Sequence, residues 1–327
     1  MIANRLLIAA AFCLMCTSCD DPKTPDSKGV VAEVAEPSKA IERPAFSADS
    51  AFVYIEKQLA FGPRVPNTGA HVQCARWLEA KLTGLGAKVV MQPANVKAWN
   101  GDQLSIVNII ASYNLEATRR VMVTAHWDSR PFADQDADPE NHDDPVPAAN
   151  DGASGVAVIL EIARQLQLLP ADIGVDLLLW DAEDYGSPGE SDSYALGSQL
   201  WARQPHVPGY RAIFGINLDM VGAKYAQFPK EGYSMQYAPD VVQRVWDAAR
   251  SLGHGNFFIS RRNDPIVDDH YYVNKIAQIP MVDVIDIRQG TGFFDDWHTR
   301  GDDITNIDKP TLQAVGETVL AVVYQAR

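Results

Sequence analysis

The stretch that most constrains this chain runs from His126 to Asp151. A short β-branched run, Val121-Met122-Val123-Thr124, leads into His126-Trp127-Asp128-Ser129-Arg130, and such a run makes a buried strand. An acidic loop follows, then Ala149-Asn150-Asp151-Gly152-Ala153-Ser154-Gly155. Beyond it Val156, Ile159, Leu160, Ala163 and Leu166 recur at helical spacing. A histidine and an aspartate thus stand where a strand ends and where a helix begins. Open α/β sheets bind ligands at that edge, and His and Asp offer nitrogen and oxygen donors that suit zinc.

The rest of the chain repeats the arrangement. Two amphipathic helices open it, one through Phe52, Ile55 and Leu59, the next with Ala75, Leu78 and Leu82 on one face. Residues 87–92 and 103–113 are strand-like. The strand 175–180 ends in Asp181-Ala182-Glu183-Asp184, and the strand 211–218 ends in Asp219-Met220-Val221-Gly222. Residues 194–203 and 241–252 read as helices, 257–260 and 280–287 as strands. Asp268-Asp269-His270 opens a further helix, where carboxylates cap and favour the dipole. Trp297-His298-Thr299 falls in a polar loop, and Pro310 stands in the first turn of a closing helix. Strands and helices alternate, which predicts one doubly wound α/β domain over residues 45–327. Its form is a three-layer α/β/α sandwich with a central mixed, mostly parallel sheet.

Of the 327 residues 46% are hydrophobic, ample for one such domain, and the net charge of -14 argues against a nucleic-acid partner. Residues 1–18 read as an export signal: Arg5, an apolar core over 6–15, then the small-residue site Cys16-Thr17-Ser18-Cys19. The apolar run is short for a membrane span. A cysteine after such a site resembles a bacterial lipoprotein signal, with Cys19 lipidated, anchored in a bilayer and exposed to the cell envelope. Residues 19–44, rich in Pro, Lys, Asp and Ser, make a disordered tether. Of four cysteines only Cys74 then remains, so no intrachain disulfide is expected and Cys74 reads as a small core residue. The acidic loop 134–144 reads as a solvated insertion. The alternation of Asp134, Asp136, Asp138 and Glu140 also admits calcium.

Candidate ligands now stand at strand ends and in loops: His126 with Asp128, Asp151, Glu183 with Asp184, Asp219, Asp268 with Asp269, and His298. Any one alone is an ordinary solvent-facing residue. Together, so many carboxylates at one sheet edge repel each other unless a cation or shared protons offset them. The remaining histidines, His71, His142, His206 and His254, read as surface or packing residues, and His270 as a member of the acidic network.

In order and local sequence these motifs resemble the zinc aminopeptidases of peptidase family M28 and their relatives, the animal-type glutaminyl-peptide cyclotransferases. His126-Trp127-Asp128, Asn150-Asp151, Glu183-Asp184, Asp219-Met220-Val221-Gly222 and His298-Thr299 match both groups. His126-Trp127-Asp128-Ser129-Arg130, Asp192-Ser193-Tyr194-Ala195-Leu196-Gly197-Ser198, Asp268-Asp269-His270 and Trp297 before His298 look more like the cyclases. Phe61-Gly62-Pro63-Arg64-Val65-Pro66 looks like their bacterial members. In the animal enzymes the acidic pair is Glu-Glu, whereas here its second member is Asp184.

The resemblance implies a zinc-exopeptidase-like fold and one zinc held by Asp151, Asp184 and His298. Glu183 would be the general acid/base, with Asp219 and Asp268 as an acidic network beside it. Trp297 and Phe293 would wall the pocket for the substrate's first side chain. The implied activity converts N-terminal glutamine of peptides or proteins to pyroglutamate with release of ammonia. His126 and Asp219 could hold a second zinc, giving the alternative of a di-zinc aminopeptidase. A binding protein on a decayed hydrolase fold is the third reading, and the intact Glu183 argues against it.

Overall fold

The computed structural model describes residues 43–326. The export signal, Cys19 and nearly all of the 19–44 tether lie outside the described residues. At the tether's end, Arg43 donates to the carbonyl of Glu317 at 3.1 Å.

In chain order the strands are β1 (Lys88–Lys97), β2 (Gln103–Tyr113), β3 (Arg120–His126), β4 (Gly174–Trp180), β5 (Gly215–Asp219), β6 (Phe228–Lys230), β7 (Phe258–Arg262) and β8 (Met281–Ile285). The helices are α1 (Ala48–Leu59), α2 (Gly69–Gly84), α3 (Ala153–Leu168), α4 (Leu196–Arg203), α5 (Gly232–Tyr237), α6 (Pro239–Ser251), α7 (Asp269–Tyr272) and α8 (Lys309–Gln325). Side-chain caps set several starts: Ser47 accepts from the amide of Ser50, Thr68 from that of His71, and Asp308 from that of Thr311.

The main sheet has the order β1-β2-β4-β3-β5-β8. β3, β4, β5 and β8 run parallel, while β1 and β2 form an antiparallel flank. The expected mixed α/β sheet is therefore present. Alternation along its strands splits the core into two layers. Val121, Val123 and Ala125 of β3 and Val175, Leu177 and Leu179 of β4 join the apolar residues of α1, α2, α3, α6 and α8. Met122, Leu178 and Trp180 point the other way, onto Trp201 of α4 and Val273 after α7.

Several details differ from the sequence reading. β1 runs on through Pro93 to Lys97, which an edge strand tolerates because its missing amide faces no partner. β5 is shorter than residues 211–218, starting at Gly215. β6 pairs in parallel with β7 as a separate two-stranded sheet, and neither β6 nor α5 was expected. Cys74 is fully buried, and burial pushes its thiol up to about 12, as suits a core residue.

Candidate active site

The parallel strands deliver their polar ends to one edge. β3 closes on His126, the turn after β4 carries Glu183 and Asp184, and β5 closes on Asp219. The helix α4 that follows β4 leads to β5 on the opposite side of β3, so the strand order reverses at β3. Ligand crevices open at such a reversal. Ala148, Ala182, Met220 and His298 hold left-handed backbone there, a conformation that costs a Cβ-bearing residue of order 1–3 kcal/mol and gathers at functional sites.

The loop before α3 presents Asp151. Asp302 accepts from the amides of Asn150 at 2.8 Å and Asp151 at 3.0 Å. The fully buried Arg64 donates to the carbonyls of Pro147 and Ala148, the latter at 2.7 Å. Gly152 follows, and a Cβ there would meet His126 Nε2 at 2.5 Å, so only glycine lets the loop approach the imidazole.

Two donor clusters result, sharing Asp151. In the first, donor atoms of Asp151, Asp184 and His298 lie within 4.8 Å of one another. His298 Nε2 is 3.1 Å from Asp184 Oδ1 and 3.7 Å from Asp151 Oδ2. In the second, His126 Nε2 is 2.9 Å from Asp151 Oδ1 and 3.3 Å from Asp219 Oδ1. Both ring nitrogens of His126 and Oδ1 of Asp219 are buried without a properly directed hydrogen bond. Lone pairs that converge this way fit a cation between them.

Proton affinities follow from this crowding. Burial pushes Glu183 well above the usual carboxylate range, helped by Asp268, Asp184 and Asp269 and opposed by His126. Burial likewise raises Asp219 to about 7, with Asp151 and Asp268 adding to it against His126. Asp184 moves down, because His298 and Arg130 outweigh its burial. His298 rises to about 9 despite burial, held by Asp184 and Asp134.

A cavity of about 370 Å³ opens over the first cluster. Its floor carries Glu183, Asp219 and Asp268, and Phe293 and Trp297 form an apolar wall. The Trp297 and His298 rings stack at 3.7 Å, and Phe293 and Trp297 lie 4.7 Å apart. Of the candidate residues from the sequence, Asp151, Glu183, Asp184, Asp219, Asp268, Phe293, Trp297 and His298 line this cavity, and His126 reaches it only through its contacts with Asp151 and Asp219.

Asp128 and Asp269 do not join the donor clusters. Asp128 accepts from the amides of Glu183 at 3.0 Å and Asp184 at 3.2 Å, and so shapes the turn that carries them. Three of the acidic loop's carboxylates are also committed. Asp136 accepts from the amides of Asp138 and Arg300, Asp138 caps Glu140, and Asp144 pairs with Arg300. His71 is buried, stacked on Trp127 at 4.4 Å and 2.8 Å from Asp181.

Sequence reasoning missed Arg130 and Asp134. Arg130 grips both oxygens of Asp134 at 2.8 and 2.7 Å and reaches Asp184 Oδ1 at 3.1 Å. Asp134 Oδ1 in turn lies 3.5 Å from His298 Nδ1. The proximity of Asp134 to an acidic run hid this role.

The family model of peptidase family M28 matches residues 108–323. Aminopeptidase YwaD of Bacillus subtilis (strain 168) is 27% identical over 316 residues, covering 93% of this chain and 64% of that protein. The glutaminyl-peptide cyclotransferase of Boiga irregularis is 29% identical over 249 residues, covering 67% of this chain and 65% of that protein. The chain thus spans less than two thirds of the length of these curated relatives. The crystal structure of Bacteroides thetaiotaomicron glutaminyl cyclase bound to N-acetylhistamine is 49% identical, with a TM-score of 0.86. That match covers 88% of this chain and all of the crystallised one.

Proposed function

We propose that this chain, which belongs to peptidase family M28, is a glutaminyl-peptide cyclotransferase acting on peptides and proteins with N-terminal glutamine. The observation that carries the reading is the likeness, over 88% of this chain, to a glutaminyl cyclase at 49% identity. The cavity supports it: it is small, walled by Phe293 and Trp297 on one side and by carboxylates on the other.

Asp151, Asp184 and His298 would hold one zinc ion, a three-ligand set that leaves a position open. When bound, the ion polarises the γ-carbonyl of the substrate glutamine and stabilises negative charge on its oxygen. The protein's own residues do the rest. Trp297 and Phe293 hold the side-chain methylenes folded, so that the α-amine faces the γ-carbon. The amine nitrogen bonds to that carbon, and the bond from carbon to the amide nitrogen breaks. Glu183 takes the proton given up by the amine and returns it to the departing nitrogen, which leaves as ammonia. The high proton affinity of Glu183 suits such a shuttle. Asp219 and Asp268 line the same floor and hold the acidic network in place.

The second donor cluster favours a second reading. His126, Asp151 and Asp219 form a complete triad beside the first, and two metals would serve an aminopeptidase that activates water. A peptide with N-terminal glutamine separates the two by mass spectrometry. Loss of ammonia with all residues retained supports the cyclase; release of free glutamine overturns it.

A further inference from the structure

Behind the cavity floor lies a set of buried polar side chains that the reaction above does not use. β3, β5 and β8 each carry one polar residue at the same height, since Thr124 pairs in register with Asn217 and Asn217 with Asp283. All three are at most 1% exposed. In an apolar sheet each such group costs about 1–3 kcal/mol if left unpaired, and the row is wired accordingly. Thr124 Oγ1 donates to Asn217 Oδ1 at 2.6 Å. Asn217 Nδ2 donates to Asp268 Oδ2 at 2.8 Å and Asp283 Oδ1 at 3.2 Å.

His270 completes the set from α7. Its Nδ1 lies 3.5 Å from Asp283 Oδ2 and 4.0 Å from Asp268 Oδ2. Its Nε2 lies 2.9 Å from Glu231 Oε2. Glu231 is itself locked, accepting from the amides of Tyr233, Ser234 and Ile266 at 2.8, 2.6 and 2.9 Å. The Asp283 amide donates to Ser234 Oγ at 2.9 Å, which closes the frame. With Glu231 as its acceptor, Nε2 carries a hydrogen; Nδ1 and Asp283 Oδ2 face each other at 3.5 Å without a directed hydrogen bond, so the contact requires a proton shared between the imidazole and the aspartates. Donor atoms of Asp268, His270 and Asp283 lie within 4.8 Å of one another, but the amide hydrogens of Asn217 point at both carboxylates, an arrangement for protons and not for a cation.

We infer that His270, anchored by Glu231, is a positioning residue for Asp268: through Asp283 and Asn217 it fixes the carboxylate that faces the reacting groups. A core that needed packing alone would place apolar residues at Thr124, Asn217, Glu231, His270 and Asp283. Here Asp268 is the one member of the set that lines the cavity, beside Asp219 and Glu183. The inference rests on the reading of Asp268 as part of the reacting floor.

The test uses the full zinc-loaded chain, with pyroglutamate formation from a glutamine peptide as the readout. His270→Leu should lower kcat by about 10- to 100-fold, the scale of a misplaced reacting group. KM should stay within about twofold, because Phe293 and Trp297 bind the substrate, and zinc content should be unchanged. His270→Asn, which returns a polar group toward the aspartates, should recover part of the loss. Thr124→Val is nearly isosteric and frees Asn217, so it should lower kcat by about threefold or more even if His270→Leu fails to fold. Equal kcat in wild type and Thr124→Val, or in wild type and folded His270→Leu, overturns the positioning role alone. Absence of pyroglutamate from the wild type overturns the cyclase reading, and this inference with it.

Discussion

Removing the Asp134 carboxylate should weaken zinc binding without that residue touching the metal. His298 is held on both sides, its Nε2 facing Asp184 Oδ1 at 3.1 Å and its Nδ1 facing Asp134 Oδ1 at 3.5 Å. A carboxylate at that distance orients the ring and fixes its proton on Nδ1, leaving Nε2 as a donor to metal. For an imidazolium the bare attraction at 3.5 Å is about 5 kcal/mol at an effective dielectric of 20, and the neutral, metal-donating ring feels a fraction of it. Most of it is offset, because Arg130 also binds Asp134 and would swing wholly onto Asp184 when released. Losses of such outer partners run at about 10- to 100-fold in metal affinity, or about 1.4–2.7 kcal/mol. Asp134→Asn keeps an oxygen for Nδ1 and should stand near tenfold; Asp134→Ala should approach 100-fold. Competition against a chromogenic chelator measures both, with melting of the metal-free proteins as the folding control. Zinc affinity within twofold of wild type in both folded variants would refute the orienting role.

Three other outcomes follow from the same structure. Glu183→Gln should lower kcat by about 100-fold or more while zinc content stays at the wild-type level; full activity would remove Glu183 from the proton path. Glu231 is held at about 2, below its ordinary 4.5, because His270 and backbone amides outweigh its burial. Its ionised form therefore stabilises the fold above pH 4.5, and that contribution, up to about 3 kcal/mol, fades as pH falls toward 2. Urea midpoints of Glu231→Gln should accordingly vary less over that acid range than those of wild type, and parallel profiles would contradict the assignment. Gly155→Ala gains about 1 kcal/mol of helix propensity. Its Cβ, however, would strike the Leu218 carbonyl and come within 2.8 Å of Ala125 Cβ, so overpacking of about 1–3 kcal/mol should prevail. A melting temperature at or above wild type would show that the sheet yields there.

What could be read from the chain divides by how local each feature is. His126 and Asp219 were legible because each closes an apolar run, and Asp184 because it stands in the polar turn that follows one; a buried parallel strand announces its own end. Asp128 misled for the same reason. Two residues past His126, it would share that face if the strand continued, but β3 stops at His126 and Asp128 turns to the amides of Glu183 and Asp184. β6 spans three residues, too few to show a period. Arg64 and Asp302 carry no local pattern at all, since they meet the Asp151 loop across 83 to 152 residues of sequence.

The row behind the cavity shows the limit most clearly. Thr124, Asn217 and Asp283 each read as a single polar lapse in an apolar strand, which a sequence alone gives no reason to connect. They become one structure only because β5 lies between β3 and β8, in a register that aligns the three residues. That order is set by the crossovers from β4 to β5 and from β5 to β8, a kind of connection that is right-handed in nearly all sheets, and not by any property of the residues themselves. The donors at the sheet edge are therefore written strand by strand. The support beneath Asp268 is written in the pairing of strands more than 60 residues apart, where one slip of register would turn Asn217 to the opposite face and leave both aspartates without its amide.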